Sequence, residues 1–136
     1  MREILFKAKS ENIDGTFDWI EGYLSKCDGK WTICDDEGIG CFVEEETICQ
    51  YTGLTDKNGN KIWENDICTR KEPFPEIVKM QKGDWILDYS YAVGRKNCYC
   101  NLGFYVCERK SVEVIGNIFD NAELLEVLCT NSRTGN

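Results

Sequence analysis

Gln50-Tyr51-Thr52-Gly53-Leu54-Thr55-Asp56-Lys57-Asn58-Gly59-Asn60-Lys61-Ile62-Trp63-Glu64-Asn65-Asp66-Ile67 is the stretch on which the fold turns. Asn58-Gly59 is a strong turn signal, because both residue types tolerate positive φ. Asp56 and Asn58 are placed to build an Asx-type turn, and Asp66 to bond backbone at the start of the next strand. Outward from this turn the dominant periodicity is two, the signature of strands. On the C-terminal side it predicts strands at 67–70, 76–80, 85–91, 99–107 and 112–119, with the chain's two prolines, Pro73 and Pro75, in a loop between two of them. On the N-terminal side, Ile4, Phe6 and Ala8 alternate with Leu5, Lys7 and Lys9. Asp14-Gly15 supplies a turn, and residues 17–23 follow as a second strand with Phe17, Trp19 and Tyr23 along one face. Residues 31–34 and 39–43 flank the acidic turn Asp35-Asp36-Glu37-Gly38 as a second hairpin. A helix is expected near the end, with Asp120 as cap, Glu123 three residues on, and Leu124, Leu125 and Leu128 as its buried stripe. Residues 130–136 read as a flexible tail.

The chain of 136 residues is 42% apolar and 29% charged, with four Trp, six Tyr and six Phe. That composition belongs to a folded domain, or to two small β subdomains, and not to a disordered chain. No secretory leader is read in Met1 to Lys9, and no stretch approaches the roughly 18 apolar residues that span a bilayer. A cytoplasmic location and no membrane partner are therefore expected.

Nine cysteines and no histidine are present. An odd count leaves a thiol unpaired, and a reducing compartment disfavours disulfides. There is no Cys-x-x-Cys knuckle. Cys27, Cys34, Cys41 and Cys49 recur at strand-like intervals and read as small buried hydrophobes, while Cys98 and Cys100 would share one strand face. With no histidine, the usual neutral-pH base and the Ser-His or Cys-His nucleophile pair are both missing; no catalytic residue and no cofactor are expected. Asp56, Glu64 and Asp66 are the one carboxylate set weighed for a hard cation such as Mg²⁺. Asp56-x-Asn58-x-Asn60 fails as a calcium loop, because Lys61 stands where glycine is needed and Ile67 where glutamate is needed. No metal site is assigned.

Net charge is −8, concentrated at the N-terminal end: residues 1–50 hold five Lys/Arg against twelve Asp/Glu, and residues 51–136 eleven against twelve. Asp35, Asp36, Glu37, Glu44, Glu45 and Glu46 lie in a stretch without a basic residue. Such a field repels phosphate backbones, so nucleic acid is disfavoured as a partner and a basic protein surface favoured. Those six carboxylates are the candidate binding residues. A thinner signal for single strands, basic residues among aromatics, is carried by Arg95, Lys96 and Tyr99, and by Phe104, Tyr105, Arg109 and Lys110. Four Trp exceed what one small core readily encloses, which points to self-association.

Four segments together resemble the YopX family. Residues 2–7 and 19–23 are similar to its first two strands. Residues 50–67 resemble its central motif, in which Tyr51, Thr52, Gly53, Asp56, Asn58, Gly59 and Asp66 are the structural positions. Val114-Ile115-Gly116-Asn117-Ile118-Phe119-Asp120-Asn121 resembles its ending. Departures are Asn65 and Ala8, where the family carries glycine. The resemblance implies a mainly β fold: an N-terminal acidic β-hairpin region over residues 1–50, an SH3-like small barrel with one short C-terminal helix over 51–129, and the tail. It further implies a protein encoded in phages or prophages, in a family with no established activity. A non-enzymatic accessory protein in the bacterial host cell that binds a host or phage protein is expected. The alternatives are an acidic inhibitor that mimics nucleic acid, or a single-strand-binding barrel.

Overall fold

The structure is a computed structural model that describes residues 4–126. Met1, Arg2, Glu3, Leu128, Cys129 and the tail over 130–136 lie outside them. The fold is mainly β, in two antiparallel sheets with a few short helical turns. Two compact units divide at Gly53 and Leu54.

In the first unit, β1 (Phe6–Glu11) pairs with β2 (Phe17–Cys27), which pairs with β3 (Lys30–Cys34), and that with β4 (Gly40–Phe42). Asp14 makes the first turn, its Oδ1 accepting from the Thr16 N–H at 3.0 Å and hydroxyl at 2.6 Å. Asp35 makes the β3–β4 turn, its Oδ1 accepting from the N–H groups of Glu37 (2.9 Å) and Ile39 (3.0 Å). β5 (Cys49–Thr55) pairs with the start of β1 and runs across the boundary, giving the sheet order β4-β3-β2-β1-β5-β6, with β6 at Lys61–Trp63. The chain leaving β4 returns to β1: the Ser10 hydroxyl donates to the Phe42 carbonyl, and the Glu44 N–H to the Lys9 carbonyl, both at 2.9 Å. The sheet therefore curls, and pairing parity sorts its side chains. Phe6, Ala8, Ile20, Gly22, Leu24 and Ile33 share the inner face, while Lys7, Lys9, Phe17, Trp19, Glu21, Tyr23 and Phe42 share the outer one.

Tight curling is possible because Gly22 has no side chain. A Cβ there would run into the carbonyl oxygen of Cys34 on the neighbouring strand, which has no flexible end to yield. Gly22→Ala is expected to destabilise the protein by about 1–3 kcal/mol, read as a lowered urea midpoint by tryptophan fluorescence.

In the second unit β7 (Asp66–Thr69), β8 (Glu76–Gln81), β9 (Asp84–Asp88) and β10 (Tyr99–Asn101) form a meander, and β11 (Glu113–Asn117) returns to pair with β7. The order is β10-β9-β8-β7-β11. Ile62, Cys68, Val78, Trp85, Leu87, Leu102 and Val112 make its core. Asn65, at the position where the family carries glycine, adopts φ 71°, a conformation asparagine tolerates better than most residues. Its N–H donates to the Val78 carbonyl, and its carbonyl accepts from Ile118.

Two strand expectations need correction. The one over 85–91 ends at Asp88, whose Oδ1 accepts from the Ser90 N–H at 2.9 Å; a helical turn over Ser90–Val93 follows and stops at Gly94, φ 69°. The one over 99–107 stops at Asn101, whose Oδ1 accepts from the Phe104 N–H at 2.7 Å and starts a π-helical turn, Phe104–Glu108. In both cases a short polar side chain bonds backbone two or three residues ahead and outcompetes the ladder. These turns, with the 3₁₀ turn Glu45–Thr47, mean that the C-terminal helix is one of several helical elements. That helix begins at residue 123. Before it, Asn121 Oδ1 accepts from the Asn117 N–H at 3.1 Å, an approach that Gly116 permits, since a Cβ there would overlap the Asn121 side chain.

Candidate functional site

The outer face of the first sheet is the candidate site. Pairing parity sets Phe17, Trp19 and Tyr23 of β2 beside Lys7 and Lys9 of β1, and Phe42 on β4. Phe17 is 45% exposed, Tyr23 51% and Phe42 57%, a large apolar presence for a solvent-facing sheet. The lysines lie among the rings. The Lys7 and Lys9 ammonium groups stand 4.6 and 5.4 Å from the Trp19 ring centre, and that of Lys30 is 5.6 Å from Phe42. Cation–π contacts of this kind orient both partners. Exposed aromatic side chains are among the residues enriched at protein contact surfaces.

The acidic residues frame β4 without forming one cluster. Asp35, Asp36 and Glu37 sit in the turn before it, and Glu44, Glu45 and Glu46 follow it, entering the 3₁₀ turn. Asp35 is spent on its own turn. The Glu44 carbonyl accepts from the Thr47 N–H and hydroxyl.

Asp56 and Asp66 are organisers of backbone. Asp56 is buried; its Oδ1 accepts from the N–H groups of Asn58 and Asn60, and its Oδ2 from that of Val114, each at 2.9 Å. Burial raises its pKa, but these donors outweigh burial and hold the carboxyl below its ordinary value. The buried Asp66 takes the Trp63 N–H on Oδ2 at 2.8 Å. Asn58 reaches Glu113 at 3.4 Å, and Gly59 turns the chain at φ 86°. Tyr51 and Thr52 are buried on β5, and Gly53 has φ 85°. Asp56, Glu64 and Asp66 do not converge, and among the described residues no three His, Cys, Asp or Glu side chains are grouped to hold a metal.

The cysteines depart from the expectation of small buried hydrophobes. Cys49 and Cys68 are buried, but Cys27, Cys41 and Cys107 are exposed. Burial pushes the Cys68 thiol well above its usual range, and burial with the neighbouring Glu76 carboxylate raises Cys100 to about 11. Neither presents a thiolate at neutral pH.

One ionic cluster has no counterpart among the sequence expectations. Glu76 is fully buried and is gripped by Arg70, with Nε donating to Oε1 at 2.7 Å and Nη2 to Oε2 at 3.1 Å. The guanidinium lies 4.2 Å from the Tyr105 ring centre and also reaches Glu72 at 3.0 Å. The available signal was a carboxylate at the core phase of a strand that reads Glu76, Val78. In the same region Phe104 and Tyr105 stack edge to face at 5.0 Å, with Arg109 5.6 Å from Phe104, so the basic and aromatic residues of this loop contact one another.

The family profile described as "YopX protein" matches residues 6–126. The chain belongs to the YopX family. Among solved structures, this YopX-family chain is similar to the crystal structure of protein EF1440 from Enterococcus faecalis, with TM-score 0.50 and 21% identity over 92% of this chain and 99% of that one. At that identity the likeness is one of fold. No curated protein matches the chain. No helix among the described residues is long and apolar enough to cross a membrane.

Proposed function

We propose that this chain is a non-enzymatic accessory protein of phage or prophage origin that acts in the bacterial cytoplasm by binding another protein. Its contact surface is the outer face of the first sheet. The observation that carries this reading is the exposure of Phe17, Tyr23 and Phe42 on one rigid face, with carboxylates at both ends of the adjoining β4. An apolar centre with an acidic rim suits a partner that offers an apolar patch ringed by Lys and Arg. We read the second unit, in the order β10-β9-β8-β7-β11, as an SH3-like barrel.

A tagged pull-down from bacterial lysate, with and without nuclease, tests the reading. The expected result is a nuclease-resistant host or phage protein captured by the wild type and lost, by about 10-fold or more, with Phe17→Ser/Tyr23→Ser/Phe42→Ser, since truncating a central aromatic commonly costs at least 2 kcal/mol of binding. Equal capture by the variant would sink it.

The second reading, an acidic inhibitor that occupies a nucleic-acid-binding surface, is favoured by Asp36, Glu37, Glu45 and Glu46. No ion pair is formed by these side chains among the described residues. Neutralising them together with Glu44, and sparing the turn-forming Asp35, is expected to abolish capture of a basic partner; capture that persists removes this reading.

A further inference from the structure

The second unit carries a groove of about 440 Å³ that the reading above does not use. Val106 and Val112 provide its apolar lining, Thr55 and Asp56 one side, and Lys57 and Lys110 its cationic rim. Its walls are tied down: the Lys57 N–H donates to the Val112 carbonyl at 3.0 Å, and the Ser111 N–H to the Tyr105 carbonyl at 3.1 Å. Lys57 already meets Glu113 at 3.6 Å. Lys110 is exposed, makes no ion pair among the described residues, and has φ 50°, a left-handed conformation that a residue with a Cβ adopts at a cost.

A knob of matching chemistry stands on the first unit. The turn Asp35-Asp36-Glu37-Gly38-Ile39 ends in an isoleucine that is 63% exposed, with Gly38 between it and three successive carboxylates. Asp35 holds the turn rigid through its two N–H acceptances, so little ordering is needed on binding. We propose that the Val106–Val112 groove receives the Asp35–Ile39 turn of a second copy of this chain, with Ile39 against the valines and Asp36 and Glu37 facing Lys57 and Lys110. The pairing is head-to-tail, the acidic unit of one copy against the cationic groove of the next. One apolar knob and two screened ion pairs make a weak contact that high salt weakens further.

Sedimentation velocity of the full chain from about 5 to about 500 µM brackets a contact of this size. The expected result is a weight-average mass that rises above the monomer with concentration and falls back as salt is added. Lys57→Glu/Lys110→Glu and Asp36→Lys/Glu37→Lys each stay monomeric, and mixing the two variants restores association. Ile39→Asp, at an exposed tip that tolerates the change, abolishes it independently of the charge swaps. A wild-type chain that is monomeric at the highest concentration overturns the proposal. So does association that survives either charge reversal or Ile39→Asp, since it then uses another surface.

Discussion

Asp56→Ala is expected to destabilise the protein by about 2–4 kcal/mol, because three backbone N–H groups lose a charged acceptor at once. Two of them, on Asn58 and Asn60, shape the hairpin turn, and the third, on Val114, belongs to β11. One carboxylate thus fixes the turn and fastens it to a strand 58 residues away. Water replaces part of the loss in the exposed turn, but less readily at half-buried Val114, so the effect is larger than that of a surface turn residue. Asp56→Asn is expected to recover about half. Its carbonyl serves the turn, while its amide sets a donor against the Val114 N–H. The pH dependence has a definite sign. Because the folded carboxyl lies below its ordinary value, its contribution is present above the unfolded pKa and lost as pH falls through the folded one. Urea unfolding between about pH 2 and 5 should therefore show an acid-induced loss in the wild type that is smaller in Asp56→Asn, where Asp14 and Asp88, also held below their ordinary values, still contribute. A flat wild-type profile would place the stabilisation elsewhere.

The contrast between Asp56 and the other elements explains what the sequence made legible. Turns written in one short polar residue and one glycine, such as Asp14-Gly15 and Asn58-Gly59, are local. The carboxylates of Asp14 and Asp56 that shape them accept from backbone two to four residues away, so they can be read without knowing the fold. The same chemistry is hidden at Asp88 and Asn101, where apolar residues on either side read as continuing strand. The aromatic face was visible as period-two spacing at Phe17, Trp19 and Tyr23, yet spacing alone does not say which side of a sheet faces water. Register decides that, by setting Lys9 opposite Trp19 and Lys7 opposite Glu21. The six carboxylates fall in one short stretch of sequence, as two triplets, but are parted in space by β4 between them, since a strand moves its two ends apart by about 3.3 Å per residue. The pairing of Arg70 and Glu76 is illegible because Arg70 lies just past the end of β7 and meets Glu76 only once β8 is paired with β7.

That pair gives the second large effect. Glu76→Ala is expected to cost about 3–5 kcal/mol, the loss typical when one partner of a buried ion pair is removed and the other is left charged. On a unit of this size that lowers the melting temperature by roughly 12–40 °C. Arg70→Ala is expected to do similar damage for the converse reason, leaving the fully buried Glu76 without its two guanidinium donors and uncovering Tyr105. Glu76→Gln separates charge from shape. Burial raises the Glu76 carboxyl above its ordinary value, even though Arg70 pulls it down. A raised carboxyl favours folding below the unfolded pKa, and that advantage is lost as pH rises through the folded pKa, opposite in sign to Asp56. Gln lacks this titration, so from about pH 4 to 7 its stability profile should be flatter than that of the wild type on the alkaline side. Double replacement by an apolar pair, Arg70→Met/Glu76→Leu, should be far milder than either single change if the cost lies in an orphaned charge. If the double variant is as unstable as Glu76→Ala, the grip of Arg70 on Glu76, Glu72 and Tyr105 holds β7 and β8 together through its geometry, and no apolar packing replaces it.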